Sequence, residues 1–221
     1  MRGIRLIWTT AFVCLVASCN FNINFGPGIR GSGKVLNEPR NVSGFREVVL
    51  QGGGNLEIEV NGTESLTIEA DDNLLPYLTS DVSNNRLTLG TKDNTNIAPS
   101  RDVTYKLTVK NLDNIELAGS GNINGRNVHS DHLKATIAGS GNITLDGTAD
   151  ESDITIAGSG NYQSPNLRSK IAKVNIMGSG DAKLNASDKL DVNIGGSGTV
   201  KYSGNAVVTQ QIGGSGSVEK Q

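Results

Sequence analysis

From residue 117 onward, aliphatic and polar residues alternate in short runs that the same few residues interrupt at regular intervals. Leu133, Ala135 and Ile137 alternate with Lys134 and Thr136; Ile154 and Ile156 flank Thr155; Val174 and Ile176 flank Asn175; Leu190, Val192 and Ile194 flank Asp191 and Asn193. A period of two belongs to a strand with one buried face, whereas a helix needs ten or more residues at a period of 3.6. Each run ends in a triplet: "LAGSGNI", "IAGSGNI", "IAGSGNY", "IMGSGDA", "IGGSGTV" and "IGGSGSV". The triplet glycines are Gly119 and Gly121, Gly139 and Gly141, Gly158 and Gly160, Gly178 and Gly180, Gly196 and Gly198, and Gly214 and Gly216, giving intervals of 20, 19, 20, 18 and 18.

A period this short, with an aliphatic residue before each triplet, predicts a solenoid in which every coil stacks on its neighbours. The expected fold is all-β: a right-handed parallel β-helix with coils of about 18–20 residues, each offering two short strands joined by a Gly-Ser-Gly corner. In register, Ile137, Ile156, Ile176, Ile194 and Ile212 form one buried column, rising ~4.8 Å per coil. The residue after each triplet is polar (Asn122, Asn142, Asn161, Asp181, Thr199, Ser217). Such side chains can hydrogen-bond to one another along the axis.

The N-terminal half uses the same chemistry with looser spacing. In "REVVLQGGGNLEIEV" a strand, a corner at Gly52 to Gly54 and a second strand follow one another, with Leu50, Leu56, Ile58 and Val60 inward. Strands also read at "SLTIEA", "NRLTLGT" and "VTYKLTVK", but "DDNLLPYLTSDVSNN" breaks the period and is expected to be an excursion with one helical turn around residues 73–78.

Composition sharpens this picture at one point, the 28 glycines among 221 residues. That is about twice the average share, as frequent tight turns require. The stretch "GIRGSGKV" at residues 28–35 has nearly the spacing of a phosphate-binding loop, but Val35 stands where a magnesium-binding hydroxyl belongs and no apolar strand precedes it. Gly31-Ser32-Gly33 therefore reads as the first corner of the series.

The start of the chain has the marks of export. Arg2 and Arg5 precede the apolar "LIWTTAFVCLVAS", which is too short to span a membrane. The following "LVASC" resembles a bacterial lipobox, which implies lipidation of Cys19. The expected organisation is a signal peptide at 1–18, a lipidated linker at 19–30 and a β-helix at 31–221, in a lipoprotein of the bacterial outer membrane, periplasmic or surface-exposed. Removing residues 1–18 takes away Arg2, Arg5 and no acid, leaving 18 basic and 22 acidic residues and a net charge of −4. Nothing in that balance is a footprint for nucleic acid.

With "GSGKVLNEPRNVSGFREVVLQGGGNLEIEV", "LTIEADDNLLPYLTSDVSNNRLTL" and the "GSGN" repeats in this order, the chain from about Gly31 to Val218 resembles the head GIN domain family, a domain of unknown function labelled as an auto-transporter adhesin. The resemblance implies a parallel β-helix and supplies no catalytic residue. An autotransporter also carries a membrane barrel after its passenger; here "GGSGSVEKQ" follows the last coil, so lipoprotein sorting is the expected route.

Candidate chemistry is sparse. Asp71 and Asp72 beside Tyr77 could do acid–base work, but neighbouring strand residues face opposite ways and a solvated turn explains them. His129 and His132, with Asp131 between them, lack the further donors a zinc site needs and read as an exposed loop between coils. Calcium-binding β-rolls have half this period and an Asp that is missing here after nearly every triplet. Tyr162 and Tyr202 fall at inward phases, which leaves no aromatic platform for a glycan. No metal, cofactor or catalytic residue is expected. The function expected is a lipid-anchored, non-catalytic scaffold or binding module, with a cell-surface adhesin as the alternative and a carbohydrate-active enzyme well behind. Its partner, a protein or a surface polysaccharide, is unnamed by the sequence. The C-terminal coil, with little to cover it, is expected to pack in a homo-oligomer or against that partner.

Overall fold

The computed structural model describes residues 28–221. The expected signal peptide, most of the expected lipidated linker and Cys19 lie outside the described residues. A small parallel pair, β1 (Ile29–Arg30) and β8 (Ile97–Ala98), stands apart from one large sheet system. That system contains β2 (Val35–Arg40), β3 (Glu47–Gly52), β4 (Asn55–Val60), β5 (Ser65–Asp71), β6 (Leu78–Ser83), β7 (Arg86–Thr91), β9 (Thr104–Val109) and β10 (Asn114–Gly119). The repeats follow as β11 (Asn122–Gly139), β12 (Asn142–Gly158), β13 (Asn161–Gly178), β14 (Ala182–Ile194), β15 (Thr199–Ser203), β16 (Val207–Ile212) and β17 (Ser217–Lys220). A 3-10 turn at Leu75–Tyr77, with Pro76 in its first turn, is the helical turn foreseen inside the excursion.

The chain is a stack of parallel coils, a β-solenoid of about 5 turns. Its interior is built of columns. Leu50, Leu117, Ile137, Ile156, Ile176, Ile194 and Ile212 are in register through successive strands, beside Val48, Ile115, Ala135, Ile154, Val174, Val192 and Gln210. Across the corner, Leu56, Ile123, Ile143, Tyr162, Ala182, Val200 and Val218 form a third column, in which the large Tyr162 sits over the small Ala182. All but the members in the last coil are buried. Burial pushes the Tyr162 phenol up to about 12.

At the corners each coil rests directly on the one before. The Gly139 φ of 146° is one that side chains rarely adopt, and a Cβ there would collide with the Gly119 carbonyl oxygen. The Ser140 N–H donates to that oxygen at 3.0 Å. Just past the corner, amides form the foreseen ladder, and it starts one coil earlier. Asn122 Nδ2 donates to Asn55 Oδ1 at 3.1 Å, Asn142 to Asn122 at 3.0 Å and Asn161 to Asn142 at 3.0 Å. Backbone N–H groups of Asp181 and Thr199 continue it, donating to Asn161 Oδ1 at 3.1 Å and Asp181 Oδ1 at 2.7 Å.

Two expectations need correction. Between corners the coil is not two short strands: β11, β12 and β13 run unbroken for 18, 17 and 18 residues. They bend where the register shifts between Gly125 and Val128 and between Ile143 and Gly147, and where two consecutive residues, such as Asp131 and His132, are both exposed. Nor is Gly31-Ser32-Gly33 a corner. The first stacked corner is Gly52 to Gly54, because Gly119 pairs with Gly52, whereas Gly31 to Gly33 leads into β2, an antiparallel edge strand on β5.

The broken period of residues 61–113 has a topological cause. Below the coil made by β3 and β4 lies another, made by β7 pairing β3 and β9 pairing β4, both parallel. The chain thus steps back beneath its first coil before climbing again from β10. The antiparallel strands β6 on β7, and β5 with β2 on β9, end the parallel stacking on that side.

Candidate functional site

The excursion carries the carboxylates singled out as acid–base candidates, and the solvated turn expected for them is not what forms. Asp71 is buried, at 1% exposure. Its Oδ1 accepts from Gly33 N–H at 2.7 Å and Ser100 Oγ at 2.6 Å, and its Oδ2 accepts from Ser100 N–H at 2.8 Å. The Ser100 hydroxyl, then the Ser100 and Gly33 amides, hold the Asp71 carboxyl below its ordinary value against the opposing effect of burial. Asp72 accepts from Ser32 Oγ at 2.6 Å and meets Lys34 Nζ at 3.3 Å. Asn73 donates to the Arg30 carbonyl and accepts from Ser32 N–H, both at 2.8 Å. Held by these donors, Asp71 and Asp72 clasp the segment 30–34, a structural use of both carboxylates.

An open groove of about 890 Å³ runs along one flank. One wall comes from the N-terminal coils: Arg46 just before β3, Arg86 opening β7, and Asp113 with Asn114 entering β10. The other comes from His129 to His132 and Lys134 of β11 with Thr148 to Asp150 of β12. Arg46 meets Asp113 through Nε at 2.7 Å and Nη2 at 3.1 Å, while Arg86 meets Glu47 through Nε and Nη2, both at 2.9 Å. The Arg46 pair is a fork onto both Asp113 oxygens, while both Arg86 nitrogens converge on Glu47 Oε2, so this wall is polar and its charges are paired.

The histidines lie on β11 and not in a loop between coils. They are exposed there because the backbone turns: His129 Nδ1 lies 2.8 Å from the Asn127 carbonyl, and His132 Nδ1 lies 3.2 Å from Glu151 Oε2 on the next coil. No group of three or more His, Cys, Asp or Glu among the described residues is placed to hold a metal ion. The groove is lined by amides, imidazoles, carboxylates, a lysine, two guanidinium groups and the hydroxyl residues Ser130 and Thr148, a set suited to hydrogen-bonding a polar surface.

The second bend recurs at a fixed place in the repeat. The exposed pairs Asp131-His132, Asp150-Glu151, Lys170-Ile171 and Asp188-Lys189 each end 7 residues before a triplet's first glycine (139, 158, 178, 196). Two exposed residues in a row break strict alternation, as a bend must. The far wall, Arg46 and Arg86, had no such signature, since it is brought into place by the coil inserted beneath.

A family model described as "Putative auto-transporter adhesin, head GIN domain" matches residues 44–206. Among solved structures, a putative adhesin from Bacteroides fragilis superposes with a TM-score of 0.72 at 23% identity, over 88% of this chain and 100% of that one. A protein from Parabacteroides distasonis named as a putative lipid binding protein gives 0.60 at 25% identity, over 87% and 99%. A putative adhesin from the same organism gives 0.58 at 23%, over 88% and 100%. No curated protein matches the sequence.

Proposed function

The chain belongs to the head GIN domain family, and from that premise we propose that it acts as a cell-surface adhesin of the bacterial envelope, tethered through a lipid on Cys19. The family's description is of an adhesin, not of an enzyme. That description moves the adhesin ahead of the plain scaffold expected from sequence. The observation that carries the reading at the molecular level is the ordered polar groove of about 890 Å³, fixed on one side by the Arg46–Asp113 and Arg86–Glu47 pairs. A rigid polar wall binds without first having to order itself, which keeps the entropic cost of association low. No helix among the described residues is long and apolar enough to cross a membrane. The proposed tether rests on the resemblance of "LVASC" to a lipobox.

The test is made on intact cells. Added protease should cut the domain without lysis, and Cys19→Ser should release it from the membrane fraction. Replacing Asp131, His132 and Lys134 together by Ala should lower adherence while leaving the melting temperature in place, because all three are exposed. Complete protection from protease on intact, unlysed cells would refute surface display and with it the adhesin.

A further inference from the structure

The two ends of the solenoid are finished in different ways. At the N-terminal end the outermost strands are antiparallel, and β2, the edge beyond β5, contains Glu38, Pro39 and Arg40. Proline and charge are the usual means of stopping a sheet edge from recruiting another strand. At the C-terminal end, among the described residues, β16 pairs only β14 and β17 pairs only β15, so each presents one edge that no described strand covers.

The composition of β16 departs from every coil beneath it. One outward column runs Lys134, Asp153, Lys173, Asp191, Thr209, alternating in sign until the last strand, where the charge disappears. The whole of β16 is "VVTQQI", without a charge, a proline or a glycine. Val207 is 73% exposed and Ile212 is 36% exposed. A six-residue edge of β-branched and amide side chains, free of charge, is the composition that pairs with another strand. On β17 the charges are one of each sign, Glu219 and Lys220, so the whole edge is neutral.

We infer that β16 and β17 are the contact surface for a second copy of this chain, joined edge to edge about a two-fold axis at the C-terminal end. A second copy can stack onto that edge in parallel only by offering an N-terminal coil, and that end is closed by β6, β5 and β2. The arrangement that remains places the two C-terminal edges together, antiparallel, with each chain offering the same surface. Such a contact closes at two chains and cannot grow into a filament. Two neutral edges meet without like-charge repulsion, and the inward-facing Val208, Gln210 and Ile212 of the last coil gain cover. The two N-terminal ends then point away from each other, as they would in molecules carried on facing surfaces. That last consequence rests on the adhesin reading; the dimer does not.

The test uses the full chain purified in a nonionic detergent, with protein mass read by light scattering after subtraction of the detergent. The mass of two chains is expected at micromolar concentration. Two variants are matched to the neighbours within the chain: Thr209→Lys faces Asp191 and Val207→Asp faces Lys189, so each favours its own coil while adding to the uncharged edge a charge that a second copy would have to desolvate. Each should weaken the dimer by roughly tenfold or more and leave the melting temperature of the monomer unchanged or higher. A chain that stays monomeric at high micromolar concentration overturns the inference, as does a dimer that both folded variants leave intact, or a series of species larger than two. Because the readout is made on purified chain, a negative result here leaves surface display to its own test on cells.

Discussion

The coils above Asn114 and the coils below Val109 share parallel strand columns but are held together differently. In the upper stack each residue meets its equivalent in the next coil: isoleucine on isoleucine, asparagine on asparagine, glycine on glycine carbonyl. In the lower region neighbours in space are far apart in sequence. β9 lies under β4, β7 under β3, and the carboxylate of Asp71 joins Gly33 to Ser100. A repeat stabilises by summing many like contacts between neighbours. The lower region depends on single contacts that occur once. Damage to one upper coil should therefore spread along the stack, whereas damage to a single contact below should stay local.

The largest effect is expected from Ile176→Asp. It sets an unpaired carboxylate in the middle of the column, at 1% exposure, and should cost several kcal/mol, enough to unfold a domain of ordinary stability. The same change at Ile212, which is 36% exposed, should cost about 1 kcal/mol or less. Chemical denaturation of both variants measures the contrast, and equal losses would show that the columns are not what couples the coils.

Next comes Gly139→Ala. The new Cβ meets the Gly119 carbonyl in addition to suffering an unfavourable φ, and a loss of about 2–4 kcal/mol is expected. Gly33→Ala shares the positive φ, at 82°, but its Cβ would meet nothing within 4 Å. Only about 1–2 kcal/mol of backbone strain applies there. The difference between the two isolates the cost of close stacking from the cost of conformation.

Asn142→Ala should be milder. It removes a donor to Asn122 and an acceptor for Asn161, each part of a hydrogen bond with a net value of about 1 kcal/mol. Denaturation midpoints should fall further for this variant than for Asn55→Ala, which at the foot of the ladder loses one ladder bond and a long 3.4 Å bond to Asp102.

The smallest global effect, and the most local one, is expected at Asp71. Asp71→Asn removes the carboxylate that Gly33 and Ser100 address, so hydrogen exchange and protease cleavage should rise over residues 28–34 and 96–100 while the upper coils keep their protection. The same clasp gives a pH dependence. Asp71 is held below its ordinary value in the folded chain, so it binds fewer protons folded than unfolded, and its contribution is fully present above the unfolded value of ~3.9. It is lost as pH falls through the lower folded value. Exchange at Gly33 and Ser100 should accelerate in that acid range and be flat at neutral pH; the Asn variant should lack the transition.

The sequence by itself determines the structure where a decision is made many times. The triplets, the alternation and the asparagines recur in register, so the period, the inward faces and the ladder follow from residues no more than 20 positions apart. The stack exists because each of those local preferences is repeated by its neighbour. What tertiary structure decided lies where the partner is distant and unrepeated. Gly31-Ser32-Gly33 has the letters of a corner, yet no coil lies beneath it, and Asp71 and Asp72 draw it into a clasp across about 40 residues. His129 and His132 have the polarity of a loop but lie on a strand, because a bend exposes two consecutive residues without ending the ladder. The coil of β7 and β9 slides beneath its predecessor in sequence and carries Arg86 to one wall of the groove. Short-range periodicity records how a coil is made. Which coil lies under which is a matter of edges left open and then covered, and only the folded chain brings those edges together.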